Sequence, residues 1–146
     1  MPRPITSTYR LQLRGAKADP AGRSFTFADA AALVPCLKEL GVSHLYLSPI
    51  FTSYPESNHN YDVTDPTEVN PELGGIEGLR HLAAAAHAAG LGLIVDIVPN
   101  HLGVETPQLN AWWWDVLKNG QDSEFESYFD TVSYTHLRAH ETDSYL

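Results

Sequence analysis

Two helical patterns in this chain each stop at a glycine and pass within a few residues into a short apolar run. The first carries Phe27, Ala30, Ala31, Val34 and Leu37 near a 3.6-residue spacing and stops at Gly41, just ahead of His44–Leu47. The second carries Ile76, Leu79, Leu82, Ala86 and Ala89, stops at Gly90, and feeds residues 93–98. A further strand pattern precedes both at residues 7–13, where Tyr9, Leu11 and Leu13 alternate with Arg10 and Gln12. Strand-helix-strand-helix-strand with short helix-to-strand turns is the wiring of a parallel sheet. Residues 93–98 are almost continuously apolar, as a strand is when protein covers both its faces. The expected class is therefore α/β, as a parallel sheet or a barrel.

The strand-to-helix connections are the long ones, and they hold the polar, aromatic and His residues. In parallel α/β folds the loops leaving the C-terminal ends of strands build the binding site. Locally, Thr26 and Asp29 form a capping-box pattern at the start of the first helix, and Pro35 should kink or break that helix early. Residues 51–75 read as one long polar loop, with Pro55, Pro66, Pro71 and Gly74-Gly75.

Composition narrows the function classes. At 146 residues the chain is one domain's worth, and 9 Lys plus Arg against 18 Asp plus Glu give a net charge of -9. Such a surface repels phosphate backbones and anionic lipid, so neither nucleic acid nor membrane is an expected partner. The N-terminus lacks a secretory apolar stretch, which points to a cytoplasmic chain. With Cys36 alone there is no disulfide framework or cysteine-rich metal site, and its place in a helix suggests an inert core thiol. Gly74, Gly75 and Gly78 lack the spacing of a phosphate-binding loop.

Three stretches could carry chemistry. In DIVPNH (residues 96–101), Asp96 interrupts a buried strand, and Asn100 and His101 fall at its C-terminal mouth. A buried Asp must be paired or hydrogen-bonded, so Asp96 either satisfies loop backbone or organises a ligand site. In HNYDVTDP (residues 59–66), Tyr61 beside Asp62 suits a sugar, the ring against a pyranose face and the carboxylate on its hydroxyls; an Asx-rich turn would use the same residues. Trp112, Trp113 and Trp114 cannot all face one core, which leaves a sugar platform or a protein interface for at least one. His59 and His101 without a third ligand make a poor zinc site, and neither a metal nor a cofactor is expected.

Together these motifs resemble the α-amylase superfamily, glycoside hydrolase family 13. DIVPNH resembles its conserved region at the end of barrel strand three, and NYDVTDP resembles its Tyr-Asp stretch after strand two. TYRLQL (8–13), residues 25–51, DPTEVNPELGG (65–75) and WWWDVL (112–117) are similar to the N-terminal part of one branch of that family. That branch turns the reducing-end α-1,4 linkage of a maltooligosaccharide into an α,α-1,1 linkage. The resemblance implies a partial TIM (β/α)8 barrel, the first three strand-helix units, over residues 5–130. It implies that Tyr61 stacks on a glucosyl ring, that Asp62 and His101 bond its hydroxyls, that His59 lines the pocket, and that Asp96 organises the strand end. Asn100 matches a calcium ligand of some relatives and is assigned here to the substrate side, with no metal.

The resemblance has two departures. Asn60 stands where the family has Gly, so a side chain occupies a position that can require φ > 0. The family's nucleophile, acid/base and third carboxylate follow strands four, five and seven, whereas a barrel takes about 250 residues and this chain covers fewer than half of its units. No residue here, Asp96, Glu105 and Asp115 included, is assigned a catalytic role, and the chain alone is expected to be inactive. Residues 131–146 resemble translated adapter or vector sequence and are set apart as a non-native tail. Two other readings remain: a different glucan hydrolase or transglycosidase of the family, and a non-catalytic glucan-binding module. An open three-strand sheet with two bare edges disfavours the module.

Overall fold

A computed structural model describes residues 4–130. It separates at residues 102 and 103 into two compact units. In the first unit, strands β1 (Thr8–Leu11), β2 (His44–Leu47) and β5 (Gly92–Val95) form a parallel sheet in that order. Helix α1 (Phe27–Glu39) links β1 to β2, and helix α2 (Gly75–Ala89) precedes β5. This is the mixed α/β pattern, with parallel strands, read from the chain. Among the described residues the sheet does not close into a barrel.

The register explains which residues meet the helices. Tyr9, Leu45 and Leu93 lie side by side, as do Leu11, Leu47 and Val95. Leu11, Leu45 and Leu47 join Phe27, Ala30, Val34 and Leu37 of α1 and Leu82 and Ala86 of α2 in one buried cluster. Alternation sends Arg10, Tyr46 and Ile94 to the opposite face. That face is where the expectation for residues 93–98 fails: the strand ends at Val95, and its residues are only half-buried. One face packs on the helical core, and no described element seals the other.

Helix α1 begins as expected. The Asp29 carboxylate accepts from the Thr26 N–H at 2.8 Å and from its hydroxyl at 2.9 Å. Pro35 neither breaks nor ends the helix, which runs unbroken to Glu39. The ring lies on the exposed side, where water can take the carbonyl left without a partner, while Val34 and Leu37 stay buried beside it. Cys36 is also exposed rather than a core thiol, because it falls between the buried Val34 and Leu37 on the outer face of the helix. In α2, Ile76 is exposed, while Leu82 and Ala86 carry the burial.

Residues 51–75 are not a plain loop. Strands β3 (Phe51–Ser53) and β4 (Val63–Val69) pair antiparallel, with register shifts on both sides of Thr52. Pro66 sits in the irregular stretch between Asp65, opposite Thr52, and Val69, opposite Phe51, where no ladder N–H is demanded of it. The hairpin tip, residues 54–62, carries His59, Asn60, Tyr61 and Asp62. After β4 a short 3-10 turn, Pro71–Leu73, is capped by Asn70, whose side chain accepts from the Glu72 N–H.

The second unit holds helix α3 (Ala111–Asn119). The fully buried Asn110 caps it, accepting from the Trp113 N–H at 3.0 Å and donating to the Gly103 carbonyl at 3.1 Å. As expected, the three Trp diverge: Trp112 packs on Phe125 and Tyr128, Trp113 on Phe129, and Trp114 under the Lys118 ammonium. No described helix is long and apolar enough to cross a membrane. The tail assigned to residues 131–146 lies outside the described residues.

Candidate functional site

The site gathers where the C-terminal ends of the parallel strands meet the tip of the β3–β4 hairpin. Asp96 follows β5, its N–H bonded to the Leu47 carbonyl at 3.0 Å, and alternation aims its side chain to the same face as Arg10 and Tyr46. That half-buried carboxylate is satisfied three times. It accepts from Arg10 Nη1 at 2.9 Å, from the Tyr61 hydroxyl at 2.5 Å and from the Tyr46 hydroxyl at 3.4 Å. Arg10 also donates from Nη2 to the Tyr61 oxygen at 2.9 Å, and its guanidinium lies 4.3 Å from the centre of the Tyr46 ring.

These contacts set the charges. Burial by itself would push the Asp96 carboxyl up, but hydrogen bonds from Tyr61 and Arg10, with the Arg10 charge, outweigh it and hold Asp96 below the usual carboxylate range. The hydrogen bond to Asp96 pushes the Tyr61 phenol up, against the opposing pull of Arg10. Arg10 is held charged: burial works against its charge, and Asp96 and Tyr61 overcome that. Asp96 is thus the ionised centre of the cluster.

The hairpin tip is pinned through its backbone. Asn60 has φ 61, the one left-handed residue other than glycine among the described residues, and it is almost fully buried. Its amide donates to the Leu13 carbonyl at 3.0 Å and accepts from the Ser53 hydroxyl at 3.0 Å, and its N–H bonds Ser57 Oγ at 3.0 Å. Asn at this position therefore holds the left-handed backbone and adds two anchors to it. Asn tolerates this region better than other side-chain-bearing residues.

Tyr61 follows with its N–H on His59 Nδ1 at 3.0 Å and its carbonyl 3.1 Å from His101 Nε2, which donates to it. The Asn100 amide lies 3.2 Å from His101 Nδ1. Asp62 is half-buried, accepts from the Ser57 hydroxyl at 2.5 Å and lies 3.8 Å from His59 Nδ1. Ser57, His59 and Asp62 are the residue types of a hydrolytic triad, but their bonds run the wrong way. Ser57 gives its proton to Asp62, and His59 Nδ1, 3.4 Å from the serine oxygen, already accepts from the Tyr61 N–H, so the imidazole is not free to take the serine proton.

His59, Tyr61, Asp62, Asp96, Asn100 and His101 thus come together at one mouth. Tyr61, His59, Asn100 and His101 are exposed there. The Tyr61 hydroxyl already both donates and accepts, which leaves its ring face as the part able to meet a ligand. Trp112, Trp113 and Trp114 belong to the other unit. Arg10 and Tyr46 were not among the candidates, although the alternation of residues 7–13 already put Arg10 opposite the core. Among the described residues no cluster of three or more His, Cys, Asp or Glu side chains could hold a metal ion.

The chain is similar to known proteins. The model of the alpha amylase catalytic domain matches residues 32–143. A putative maltooligosyl trehalose synthase of Mycobacterium tuberculosis is 60% identical over 127 residues, 87% of this chain and 16% of that protein. The intracellular maltogenic amylase of Bacillus subtilis is 36% identical over 119 residues, 80% of this chain and 19% of that protein. The structure of maltooligosyltrehalose synthase from Arthrobacter ramosus superposes with a TM-score of 0.78 at 53% identity, over 87% of this chain and 16% of that one. The chain therefore spans about one sixth of the length of the synthases it matches. On its sequence and its fold, this chain belongs to the α-amylase family.

Proposed function

We propose that this chain is the opening segment of a maltooligosyltrehalose synthase and supplies part of its glucan-binding mouth. The observation that carries the reading is Tyr61, an exposed ring whose hydroxyl is tied between Asp96 and Arg10 where the parallel strands end. A ring fixed in this way presents an apolar face to a pyranose, and the ionised or neutral acceptors beside it suit hydroxyls. The identity of 60% to the synthase against 36% to the amylase favours the trehalose-forming branch.

On this reading Tyr61 stacks on the glucosyl ring next to the bond that breaks. Asp62 accepts from its hydroxyls, His101 and Asn100 meet it from the strand end, and His59 lines the same side. Asp96 stays ionised and holds Tyr61 rather than touching sugar. The reaction is intramolecular transglucosylation. A carboxylate of the complete barrel takes the glucosyl carbon as the α-1,4 bond breaks, a second carboxyl gives its proton to the leaving oxygen, and the released glucose turns. Its anomeric hydroxyl, in place of water, then gives its proton to that second carboxylate and attacks the glucosyl carbon, and the first carboxylate leaves. Neither reacting carboxylate is assigned to this chain. Residues 5–130 carry the reading, maltooligosaccharide is the substrate, and the single unpaired Cys36 suits a cytoplasmic setting.

The 36% identity to a maltogenic amylase supports a second reading, a glucan hydrolase of the same family. Product chemistry separates the two. The complete polypeptide carrying this segment should convert maltoheptaose to a product without a reducing end and of unchanged length. A rise in reducing ends with shorter glucans would establish the hydrolase instead.

A further inference from the structure

An aromatic side chain at the tip of a hairpin has two free torsions, and stacking a sugar on it costs the entropy of stopping both. Tyr61 has that position but not that freedom. Its hydroxyl is held at 2.5 Å by Asp96 and at 2.9 Å by Arg10, from outside the hairpin. Asp96 alone would fix only the direction of the O–H. Arg10 bonds the same oxygen from a second direction, and because the O–H and the facing lone pair both prefer the ring plane, the two bonds together orient the ring. Arg10 is itself immobilised by its 2.9 Å bond to Asp96 and by the Tyr46 ring beneath it. The clamp thus takes one residue from β1, one from β2 and one from the end of β5, the three strands of the parallel sheet.

From this geometry we propose that Arg10 is a positioning residue for glucan binding, acting through Tyr61 by fixing the plane of the ring on which a glucosyl unit stacks. The proposal rests on the glucan reading of the mouth. Arginine suits the role because its planar fork reaches two oxygens at once, Asp96 through Nη1 and Tyr61 through Nη2, whereas the ammonium of lysine is a single point. A ring that is set before the substrate arrives strengthens binding in the ground state and the transition state alike, so its loss falls on KM more than on kcat.

The test is a double-mutant cycle in the complete enzyme carrying this segment, with maltoheptaose as substrate, comparing wild type, Arg10→Met, Tyr61→Phe and the double variant. Arg10→Met should raise KM about tenfold with kcat changed by less than about threefold, and Arg10→Lys should recover only part of the loss. Tyr61→Phe removes the atom through which Arg10 acts, so adding Arg10→Met to it should change KM by less than about twofold. A full second increase in KM would mean that Arg10 touches the sugar itself and would overturn the proposal. So would a fall in kcat per milligram at unchanged KM, the mark of a residue that only keeps the sheet folded. Failure of the underlying reading looks different: wild-type enzyme that leaves maltoheptaose untouched removes the glucan site and the role of Arg10 together, whereas an active wild type with an additive cycle removes only the role of Arg10.

Discussion

Asn60 gives a prediction whose size and sign both come from the geometry. Its φ of 61 and its buried amide oppose each other in choosing a substitute. Asn60→Gly keeps the left-handed backbone but deletes both side-chain bonds, leaving the buried Ser53 hydroxyl and the Leu13 carbonyl unpaired. At about 1–3 kcal/mol for each stranded group, the loss is about 2–4 kcal/mol once some water entry is allowed. Asn60→Ala strands the same groups and adds about 1–2 kcal/mol of left-handed strain, offset by about 0.4–1 kcal/mol because alanine restricts the unfolded chain. Alanine should therefore be the worse of the two by about 0.5–1 kcal/mol, the reverse of its usual advantage over glycine. Asn60→Asp accepts the backbone and can still take the Ser53 proton, but it sets a carboxylate oxygen against the Leu13 carbonyl, so it should keep only one of the two anchors. Urea denaturation of the four chains in parallel, followed by circular dichroism, reads the order. Alanine equal to or above glycine, or every variant within about 0.5 kcal/mol of wild type, would refute the left-handed, doubly anchored turn.

Three further outcomes follow from the same structure. At Gly92 an added Cβ would overlap the buried His44 ring across the β2–β5 register, so Gly92→Ala should cost about 1–3 kcal/mol, and adding His44→Ala should recover most of it; thermal unfolding of both variants checks this. The Asp96 carboxyl is held low, so its contribution to stability is complete above the ordinary carboxylate pKa of about 4 and fades as the pH falls through the lower folded value. The raised Tyr61 phenol gives the opposite limit, a contribution complete below the ordinary phenol pKa of about 10 and lost as the pH rises through the higher folded value. The stability gap between wild type and Asp96→Asn should thus be flat at neutral pH and close in acid, which denaturation midpoints across pH would show. Finally, the purified 146-residue chain should make no trehalose-ended product from maltoheptaose, and chromatographic detection of any would contradict the proposal that the reacting carboxylates are not among its residues.

How much of this was legible in the chain depends on how local each determinant is. The α1 cap, the glycine stops and the β2 boundaries are written in a few adjacent residues, Thr26 with Asp29 and Gly41 with His44–Leu47, and they hold. The β3–β4 hairpin is not written that way. It depends on a three-residue strand, two register shifts and Pro66 within β4, and only the pairing of distant residues makes it a sheet. Pro35 misleads for a related reason, since its cost depends on whether the carbonyl it strands faces water, and here the ring is on the outer face. At the site, Tyr61, Asp62 and His101 stand out through the types of their neighbours in the chain. Arg10 does not, because its role comes from partners 51 and 86 residues away. Asn60 lies between these cases: its resemblance to a family glycine position raises the left-handed backbone as an expectation, but the Ser53 and Leu13 anchors appear only in three dimensions.

The central claim is that a glucosyl unit rests on Tyr61, and the most direct measurement is a crystal structure of the complete enzyme carrying this segment, soaked with maltotriose. The account predicts a pyranose ring stacked on Tyr61, hydroxyls on Asp62 and His101, and the Tyr61 hydroxyl still bound between Arg10 and Asp96. Sugar lodged instead on the Trp112–Trp114 helix, with the Tyr61 ring bare, would contradict it.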